Sequence, residues 1–305
     1  MNKIAIITGA SSGIGLELTK KLFKLDWTII LACRNKEKTI KIINEIELNS
    51  HKLLFYPLDL SNQESINNFC EDINIDFDHI DLLVNNAGIP ATKRLVDIKN
   101  KEGRTITLNQ CFMTNFFGHY IIVTKLLGVL KNSDKPRVVN ISSVYSNFSN
   151  GNPDIIFQRK NNYALSKLAM VYLTKKIRDD TNISSIAVNP GYVDTSIWEY
   201  GRDKLKGITY IFNIKESYIR YFCSLSAEES AKTILQACLL DNAEIKEKGI
   251  YMTPYKKIFV LTLLLNEVLG RFHTGIGKTI FIDPPKKLMD NNVINNFFDF
   301  VNLLL

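Results

Sequence analysis

Residues 3–15, Lys3-Ile4-Ala5-Ile6-Ile7-Thr8-Gly9-Ala10-Ser11-Ser12-Gly13-Ile14-Gly15, carry the strongest indication of the fold class. Its apolar first part predicts a buried β-strand, and the residues from Leu16 to Leu25 predict a helix. A glycine-rich turn between such a strand and helix directs backbone N–H groups and the positive end of the helix dipole at one point. That point suits a phosphate or pyrophosphate group, although a glycine-rich turn can also be purely structural.

Length and composition are those of a globular protein with a sizeable core. The chain has 305 residues, of which 46 % are hydrophobic and 23 % charged. Its formal net charge is +7, but the basic residues are dispersed, which argues against nucleic-acid binding. Five scattered cysteines and four separated histidines predict reduced thiols and no metal site.

We expect a cytoplasmic protein without a transmembrane segment. No signal peptide or anchor precedes the first predicted strand, and the apolar run at 258–265 is too short to span a bilayer. A stripe near the C-terminus can cover the chain's own core, form a homodimer contact or lie on a membrane surface. Its residues are Ile294, Phe297, Phe298, Val301, Leu304 and Leu305.

Strand and helix patterns alternate along the chain. Further apolar runs predict strands at 28–32, 52–57, 79–84, 137–141, 183–188 and 249–252. Amphipathic patterns predict helices at 36–48, 108–130, 162–179 and 227–240, and a capping box of Ser61 and Glu64 predicts another. A polar loop that contains Gly103 precedes the long helix at 108–130.

This alternation predicts a doubly wound parallel α/β sheet, the Rossmann fold, with helices on both faces. We expect one dinucleotide-binding catalytic domain over residues 1–255, with a substrate lid at about 192–226. Residues 256–305 are expected to form a C-terminal extension that packs on the same domain.

Polar residues follow the predicted strands. They lie at 8–15, 33–34, 59, 85–88, 142–143 and 189–191. Because the carboxyl ends of parallel strands meet at one edge of the sheet, we expect these residues to line a single crevice.

Tyr163 and Lys167 form the most informative pair. On a helix they are four residues apart and lie on one face. A free tyrosine has a pKa near 10, and a neighbouring ammonium group favours the phenolate and lowers that pKa. The pair therefore predicts a group that exchanges protons near neutral pH, whereas the alternative is an ordinary solvated helix face.

Taken together, these residues resemble the short-chain dehydrogenase/reductase family. Five motifs occur in the family's order. They are Thr-Gly-x-x-x-Gly-x-Gly at 8–15, Asn-Asn-Ala-Gly at 85–88, a serine after the fifth strand, Tyr-x-x-x-Lys at 163–167 and Asn-Pro-Gly at 189–191. The resemblance covers roughly residues 3–255. The stretches 32–35, 115–119 and 189–195 are most similar to the retinol-dehydrogenase-like branch.

The resemblance implies catalytic roles for particular residues. Tyr163 would exchange a proton with the substrate oxygen, and Lys167 would tune Tyr163 and hold the nicotinamide ribose. Ser143, rather than Ser142, would bind the substrate oxygen. Asn115 would hold a water beside the lysine and complete a proton relay, unless it only forms local hydrogen bonds in its helix. Hydride would pass directly between the nicotinamide and the substrate carbon.

The same resemblance implies a set of cofactor contacts along the crevice. They are Thr8, Gly9, Ser11, Ser12, Gly13, Ile14, Gly15, Arg34, Asp59, Leu60, Asn86, Ala87, Gly88, Tyr163, Lys167, Pro190, Gly191, Val193 and Thr195.

Arg34 bears on the choice of cofactor. NAD sites usually place an acidic residue after the second strand, whereas an arginine there suits the 2′-phosphate of NADP. The strand here ends in Ala32-Cys33-Arg34, which predicts NADP(H) bound through a guanidinium–phosphate contact. Alternatively, Arg34 stacks on the adenine while either cofactor binds. Asp59 is expected beside the adenine, or as a cap of the turn before the next helix.

Aromatic residues of the predicted lid favour an apolar carbonyl or alcohol substrate of the retinoid, steroid or aliphatic aldehyde class. They are Trp198, Tyr200, Tyr210, Phe212, Tyr218, Tyr221 and Phe222, and packing of the lid would explain them equally well. A long insertion after Ser143 carries Tyr145, Phe148, Pro153 and Phe157, which can form another pocket wall.

We therefore expect an NADP(H)-dependent carbonyl reductase or alcohol dehydrogenase that acts on a small molecule. The alternatives are a regulatory protein that binds NADPH without turnover, and a reductase of enone double bonds.

Overall fold

A computed structural model describes residues 3–48, 50–193, 224–248, 251–254, 271–273, 279–283 and 289–305. The strands are β1 (Ile4–Thr8), β2 (Thr28–Cys33), β3 (Leu53–Pro57), β4 (Leu82–Asn85), β5 (Leu95–Lys99), β6 (Thr105–Asn109), β7 (Arg137–Ile141), β8 (Ser184–Val188), β9 (Tyr192–Val193), β10 (Ser224–Leu225), β11 (Tyr251–Pro254), β12 (Arg271–His273) and β13 (Thr279–Asp283).

The helices are α1 (Gly13–Phe23), α2 (Lys36–Ile46), α3 (Gln63–Asp76), α4 (Gln110–Phe112), α5 (Gly118–Lys125), α6 (Leu127–Lys131), α7 (Tyr163–Asp180), α8 (Ala227–Leu239), α9 (Asn242–Lys248) and α10 (Asn291–Asn302). A π-helical turn, Met113–Phe117, joins α4 to α5. Two short 3₁₀ helices, Val144–Phe148 and Pro153–Phe157, lie between β7 and α7.

Seven parallel strands form the body of the central sheet, in the order β11-β8-β7-β4-β1-β2-β3. The predicted doubly wound parallel α/β fold is confirmed. Beyond β11 the sheet continues with antiparallel β13 and β12, which were not predicted. The order of the strands reverses at β1, between β4 and β2, and ligands of open α/β sheets bind outside such a reversal point.

Helices cover both faces of this sheet. Alternate residues of β1 point to opposite faces, so that Ile6 packs in one buried cluster and Ile7 in the other. The first cluster contains residues of α3, α5, α7 and α10, whereas the second contains residues of α1, α2 and α8. Burial on both faces explains why the strands are nearly continuous in apolar residues.

The prediction of a polar loop before the long helix is wrong. Residues 95–109 form a β-hairpin, with β5 and β6 paired in antiparallel register from Leu95 opposite Asn109 to Lys99 opposite Thr105. Its turn contains Gly103 and is held by the Asn100 side chain, whose Oδ1 accepts hydrogen bonds from the backbone of Glu102 and Arg104.

The continuous helix predicted from Leu108 to Leu130 is also wrong in its details. Leu108 belongs to β6, and the helix begins at Gln110 because the Asn109 side chain accepts a hydrogen bond from the backbone of Cys111. A π-helical turn interrupts the middle of the helix, and a break at Leu126 separates α5 from α6.

The capping box predicted at Ser61 is wrong as well. The Ser61 hydroxyl donates to Asp59, and the Asn62 side chain caps α3 by accepting from the backbone of Glu64 and Ser65.

The C-terminal stripe packs on the chain's own core. Ile294, Phe297, Phe298 and Val301 of α10 are buried. The Phe297 ring lies 5.6 Å from that of Phe116 and 5.4 Å from that of Tyr172, measured between centroids. Every helix in the described part of the chain is too short or too polar to cross a membrane.

Candidate active site

The glycine-rich turn leaves the N-terminus of α1 open to an anion. Ser12 occupies the N-cap position without a side-chain cap bond, and the first turn carries no acidic residue. The first backbone N–H groups of the helix therefore have neither a partner within the helix nor a side-chain cap from Ser12. Gly9 has a φ of +69°, in the region that favours glycine.

Gly15 permits close contact between three segments of the site. A Cβ atom at Gly15 would lie 2.5 Å from the carbonyl oxygen of Gly9 and 2.6 Å from Nδ2 of Asn86. The Asn86 amide donates to the Thr8 carbonyl at 2.8 Å. The predicted phosphate-binding turn thus packs directly on the Asn-Asn-Ala-Gly segment that follows β4.

Thr8 fixes that segment to the end of β1. Its hydroxyl oxygen accepts hydrogen bonds from the backbone N–H groups of Asn86 and Ala87, both at 2.9 Å. Gly88 comes next, and a Cβ atom there would lie 3.3 Å from Oδ1 of Asn115 and 3.5 Å from Nζ of Lys167. The segment after β4, which Thr8 holds at the end of β1, therefore extends to Lys167.

Ser143, Tyr163 and Lys167 come together at the ends of β7 and α7. The Lys167 ammonium lies 5.7 Å from the centroid of the Tyr163 ring and donates to the Ile141 carbonyl at 3.0 Å. Ser143 lies close enough to the Tyr163 phenol to lower its pKa by hydrogen bonding. Ser142 is buried, and its hydroxyl donates to the Lys167 carbonyl at 2.7 Å. Of the two serines, Ser143 is thus the one beside the phenol.

Burial has the largest effect on the pKa values of Tyr163 and Lys167. It raises the pKa of the Tyr163 phenol to about 12, against the opposing effect of the Ser143 hydrogen bond. It also lowers the pKa of the Lys167 ammonium to about 8. The prediction that the lysine brings the tyrosine pKa down toward neutrality is therefore wrong for the protein alone, and the phenol is a proton donor at neutral pH.

Asn115 lies in the π-helical turn and is fully buried. Its Oδ1 accepts from the Ile89 backbone N–H at 2.7 Å, while its Nδ2 lies 3.0 Å from the Ile89 carbonyl and 3.2 Å from Oγ of Ser166. The side chain is thus used to fix the backbone after Gly88 and the first turn of α7. Its predicted role in a water relay stays a prediction.

Arg34 and Asp59 lie at the ends of neighbouring strands. Arg34 is exposed directly after β2, and the Leu58 backbone donates to the Cys33 carbonyl at 3.0 Å. Asp59 Oδ1 accepts from the backbone and hydroxyl of Ser61 at 2.9 and 2.7 Å. Asp59 therefore caps its turn, and its predicted contact with the adenine stays a prediction. Leu60 is buried and packs on Gly118.

The remaining predicted contacts are only partly described. Pro190 and Gly191 follow β8, and the Gly191 N–H donates to the Asn189 side chain at 3.1 Å. Val193 belongs to β9, which pairs with β10. Thr195 and the seven aromatic residues of the predicted lid lie outside the described residues.

The insertion between Ser143 and Tyr163 divides into two parts. Tyr145 is close to the site, with its ring edge-on to Tyr163 at 5.8 Å, and Phe148 lies 6.0 Å from Tyr145. Phe157 instead contacts Phe300 of α10 at 5.8 Å. Tyr145, in the first part, therefore reaches Tyr163, whereas Phe157, in the second, packs on α10.

The family model described as short chain dehydrogenase matches residues 3–206 of this chain. The chain belongs to the short-chain dehydrogenase family. Human retinol dehydrogenase 11 is 26 % identical over 279 residues, which cover 88 % of this chain and 82 % of the relative. Retinol dehydrogenase 12 of Bos taurus is 30 % identical over 268 residues, covering 85 % and 79 %. These relatives place the short-chain dehydrogenase in the retinol-dehydrogenase-like branch.

A solved alcohol dehydrogenase from the archaeon Thermococcus sibiricus, in complex with 5-hydroxy-NADP, has the same fold. Its TM-score is 0.57 at 23 % identity, over 79 % of this chain and 92 % of that one. The present chain is thus an oxidoreductase of the short-chain dehydrogenase family, whose members use a nicotinamide cofactor and act on small molecules.

Sequence reasoning missed two residues that organise this site. The Ser166 hydroxyl accepts a hydrogen bond from the Asn115 side-chain amide and donates one to the Tyr163 carbonyl at 2.8 Å. His119 lies between Thr8 and Asn115. Its spacing of four residues from Asn115 was the available signal, because residues at this spacing share a helix face.

Proposed function

We propose that this short-chain dehydrogenase transfers a hydride between NADP(H) and the carbonyl or alcohol carbon of an apolar small molecule. The observation that carries the proposal is that Tyr163 and Lys167 lie together beside Gly88, in the same segment whose Asn86 packs on Gly15 at the start of α1. This combines an anion site with a proton donor, as reduction of a carbonyl requires.

The residues of the turn fit a dinucleotide. The uncapped N–H groups of α1 and the close approach that Gly15 permits suit a pyrophosphate. Lys167 carries three N–H donors, of which one bonds Ile141, and the others can hold ribose hydroxyls. The nicotinamide supplies the hydride when the cofactor is bound.

The chain's own residues handle the proton. Tyr163 donates the phenolic proton to the substrate oxygen during reduction, and Ser143 donates a hydrogen bond to the same oxygen. Donors fixed at the position where charge develops on oxygen stabilise the transition state more than the ground state. The buried Lys167 ammonium stabilises the phenolate that remains after the proton has left.

Two features support the finer parts of the proposal. Arg34 is exposed at the end of β2, where no acidic residue is available for a ribose 2′-hydroxyl, and this supports NADP(H). Tyr145 next to Tyr163 supports an apolar or aromatic substrate, such as a retinoid, a steroid or an aliphatic aldehyde. The predicted lid at about 192–226 remains part of this proposal.

A cofactor and substrate screen tests the function. We expect NADPH oxidation by retinal, steroid ketones or aliphatic aldehydes, and slower turnover with NADH. Binding of NADPH without turnover on any carbonyl would favour a regulatory protein instead. Reduction of an enone double bond without carbonyl reduction would favour a double-bond reductase.

Substitution of Arg34 tests the cofactor preference separately. Arg34→Asp is expected to reduce the preference for NADPH over NADH by about 10- to 100-fold, because a charge-assisted contact to phosphate is lost. Arg104→Asp is the matched control, since Arg104 is exposed on the hairpin turn and pairs only with Glu102 among the described residues. An unchanged preference in Arg34→Asp would remove the role given to Arg34.

A further inference from the structure

His119 joins the nucleotide-binding side of the crevice to the catalytic side. Its ring is fully buried in α5. Nε2 lies 2.9 Å from the Thr8 hydroxyl oxygen, and Nδ1 lies 3.2 Å from the Asn115 carbonyl oxygen. The two ring nitrogens therefore contact two residues that are more than a hundred positions apart in the chain.

Counting donors and acceptors on Thr8 determines which nitrogen carries the proton. A hydroxyl oxygen accepts two hydrogen bonds and donates one. Both acceptor positions are filled by the N–H groups of Asn86 and Ala87. The hydroxyl can then only donate, and Nε2 at 2.9 Å is a closer acceptor than the Val84 carbonyl at 3.4 Å. Nε2 is therefore unprotonated.

The other nitrogen follows from this assignment. A neutral imidazole that accepts at Nε2 carries its proton at Nδ1, which then donates to the Asn115 carbonyl. Burial lowers the pKa of His119 to about 3, so the ring is neutral at physiological pH. The opposite tautomer would leave a buried Nε2–H without an acceptor, which is costly.

We propose that His119, in this single tautomer, is a positioning residue. It connects the cofactor loop, by which we mean Asn86 and Ala87 bonded to the Thr8 hydroxyl, to the backbone of Asn115 near Lys167. Through Nε2 it holds the Thr8 hydroxyl in the orientation that receives two loop amides. Through Nδ1 it holds the carbonyl of the π-helical turn that carries Asn115. One side chain thus aligns the cofactor loop with the catalytic lysine.

Two conservative substitutions separate the halves of this link. His119→Gln can keep an acceptor for Thr8 in place of Nε2 but loses the donor to Asn115. His119→Asn can keep a donor to the Asn115 carbonyl in place of Nδ1 but loses the acceptor for Thr8. We expect His119→Gln to lower kcat about tenfold with cofactor affinity retained, and His119→Asn to weaken cofactor binding about tenfold with kcat retained, since one hydrogen bond is lost in each.

The measurements are NADPH binding by fluorescence titration, kcat with a substrate found in the screen, and the melting temperature of each variant. Equal losses of kcat and affinity in both variants, in parallel with a fall in melting temperature, would reduce His119 to a packing residue. Unchanged kinetics in both variants would also overturn the proposal.

The tautomer is tested in the wild-type protein without any substitution. Nitrogen chemical shifts of the His119 ring distinguish a protonated from an unprotonated nitrogen, and we expect the proton at Nδ1. A proton at Nε2 would overturn the proposal even if the variants did not fold. The measurements of kcat and NADPH affinity rest on the proposed function, whereas the ring-nitrogen chemical shifts do not, so failure of this proposal and failure of the proposed function can be distinguished.

Discussion

Lys167 is the residue at which folding and function conflict. The residue is 5 % exposed, and its Nζ donates to the Ile141 carbonyl at 3.0 Å. Burial lowers its pKa from 10.5 to about 8, because the charged form loses hydration. A lysine in this position destabilises the folded chain at neutral pH, and the proposed catalytic function explains why a charge is kept there.

The lowered pKa gives a pH dependence with a defined sign. Between about pH 8 and pH 10.5 the unfolded chain still binds the proton that the folded chain has released, so the contribution of Lys167 to stability rises with pH in this window. We expect the melting temperature of the wild type, minus that of Lys167→Met, to increase as the pH is raised through this range.

Lys41→Met is the control for this titration, because Lys41 is an exposed surface residue of α2. The difference between the wild type and that variant shows what removal of an exposed lysine does over the same pH range. A difference for Lys167→Met that stays constant across the window would contradict the burial of a titrating ammonium.

The proximity of site residues was predictable here where it depends on spacing, whereas their pKa shifts, which depend on burial, were not. Tyr163 and Lys167 were found from their separation of four residues, and the structure brings Ser143 to the same phenol. The direction of the Tyr163 pKa shift was wrong, because spacing reveals a neighbouring charge but not the loss of solvent. His119 was missed because its partner Thr8 is close only in the folded chain.

At the scale of elements, the turn from β1 into α1 has the strictest steric requirement. Gly15→Ala would place a Cβ atom 2.5 Å from the Gly9 carbonyl oxygen, a backbone atom that cannot move without opening the turn. We expect this variant to bind NADPH at least about tenfold more weakly, because the N–H groups at the start of α1 lose their alignment.

Gly128→Ala provides the matched control for this substitution. A Cβ atom at Gly128 in α6 meets nothing within 4 Å, and alanine favours the helix. Titration of both variants with NADPH is the measurement. Wild-type affinity in Gly15→Ala would show that the turn does not hold the cofactor.

The C-terminal helix α10 is an element of the core. Phe297 is buried and its ring contacts those of Phe112, Phe116 and Tyr172. We expect Phe297→Ala to reduce the free energy of unfolding by about 3–5 kcal/mol, as for other large-to-small core substitutions. Val293→Ala on the same helix, where the side chain is 38 % exposed, should change it by less than about 0.5 kcal/mol.

Denaturant unfolding of both variants measures these values. If Phe297→Ala cost no more than Val293→Ala, α10 would not be part of the cooperative core of the protein.

Elements were predictable from the sequence where one pattern extends over a whole segment. β7 and α8 were found almost to the residue, because their apolar periodicity is complete. The hairpin was missed although β5 and β6 alternate between apolar and polar residues, since polar residues on both sides of Gly103 dominated the interpretation. The π-helical turn left no recognisable pattern in the sequence. Its residues are apolar, as in the helical segments around it, except for Thr114 and Asn115.

At the scale of the whole molecule, the reversal of strand order at β1 concentrates the chemistry. The turn before α1, the segment after β4 and the residues after β7 all end at the same edge of the sheet. The fold and the position of the crevice therefore follow from the order of strands and helices. The identity of the substrate does not follow, because it depends on how side chains close the crevice.

Transfer of deuterium from NADPH labelled on the transferable position of its nicotinamide is the measurement that tests the proposed hydride transfer. Retinal and an aliphatic aldehyde serve as substrates, and mass spectrometry follows the label. We predict deuterium on the former carbonyl carbon of the product with the wild type. The same result is expected for the control Tyr56→Phe, because the Tyr56 hydroxyl donates to Asp76. Tyr163→Phe should bind NADPH with unchanged affinity and transfer the label at least about a hundredfold more slowly. Transfer at the wild-type rate by Tyr163→Phe, or no transfer by the wild type across the panel, would contradict the account.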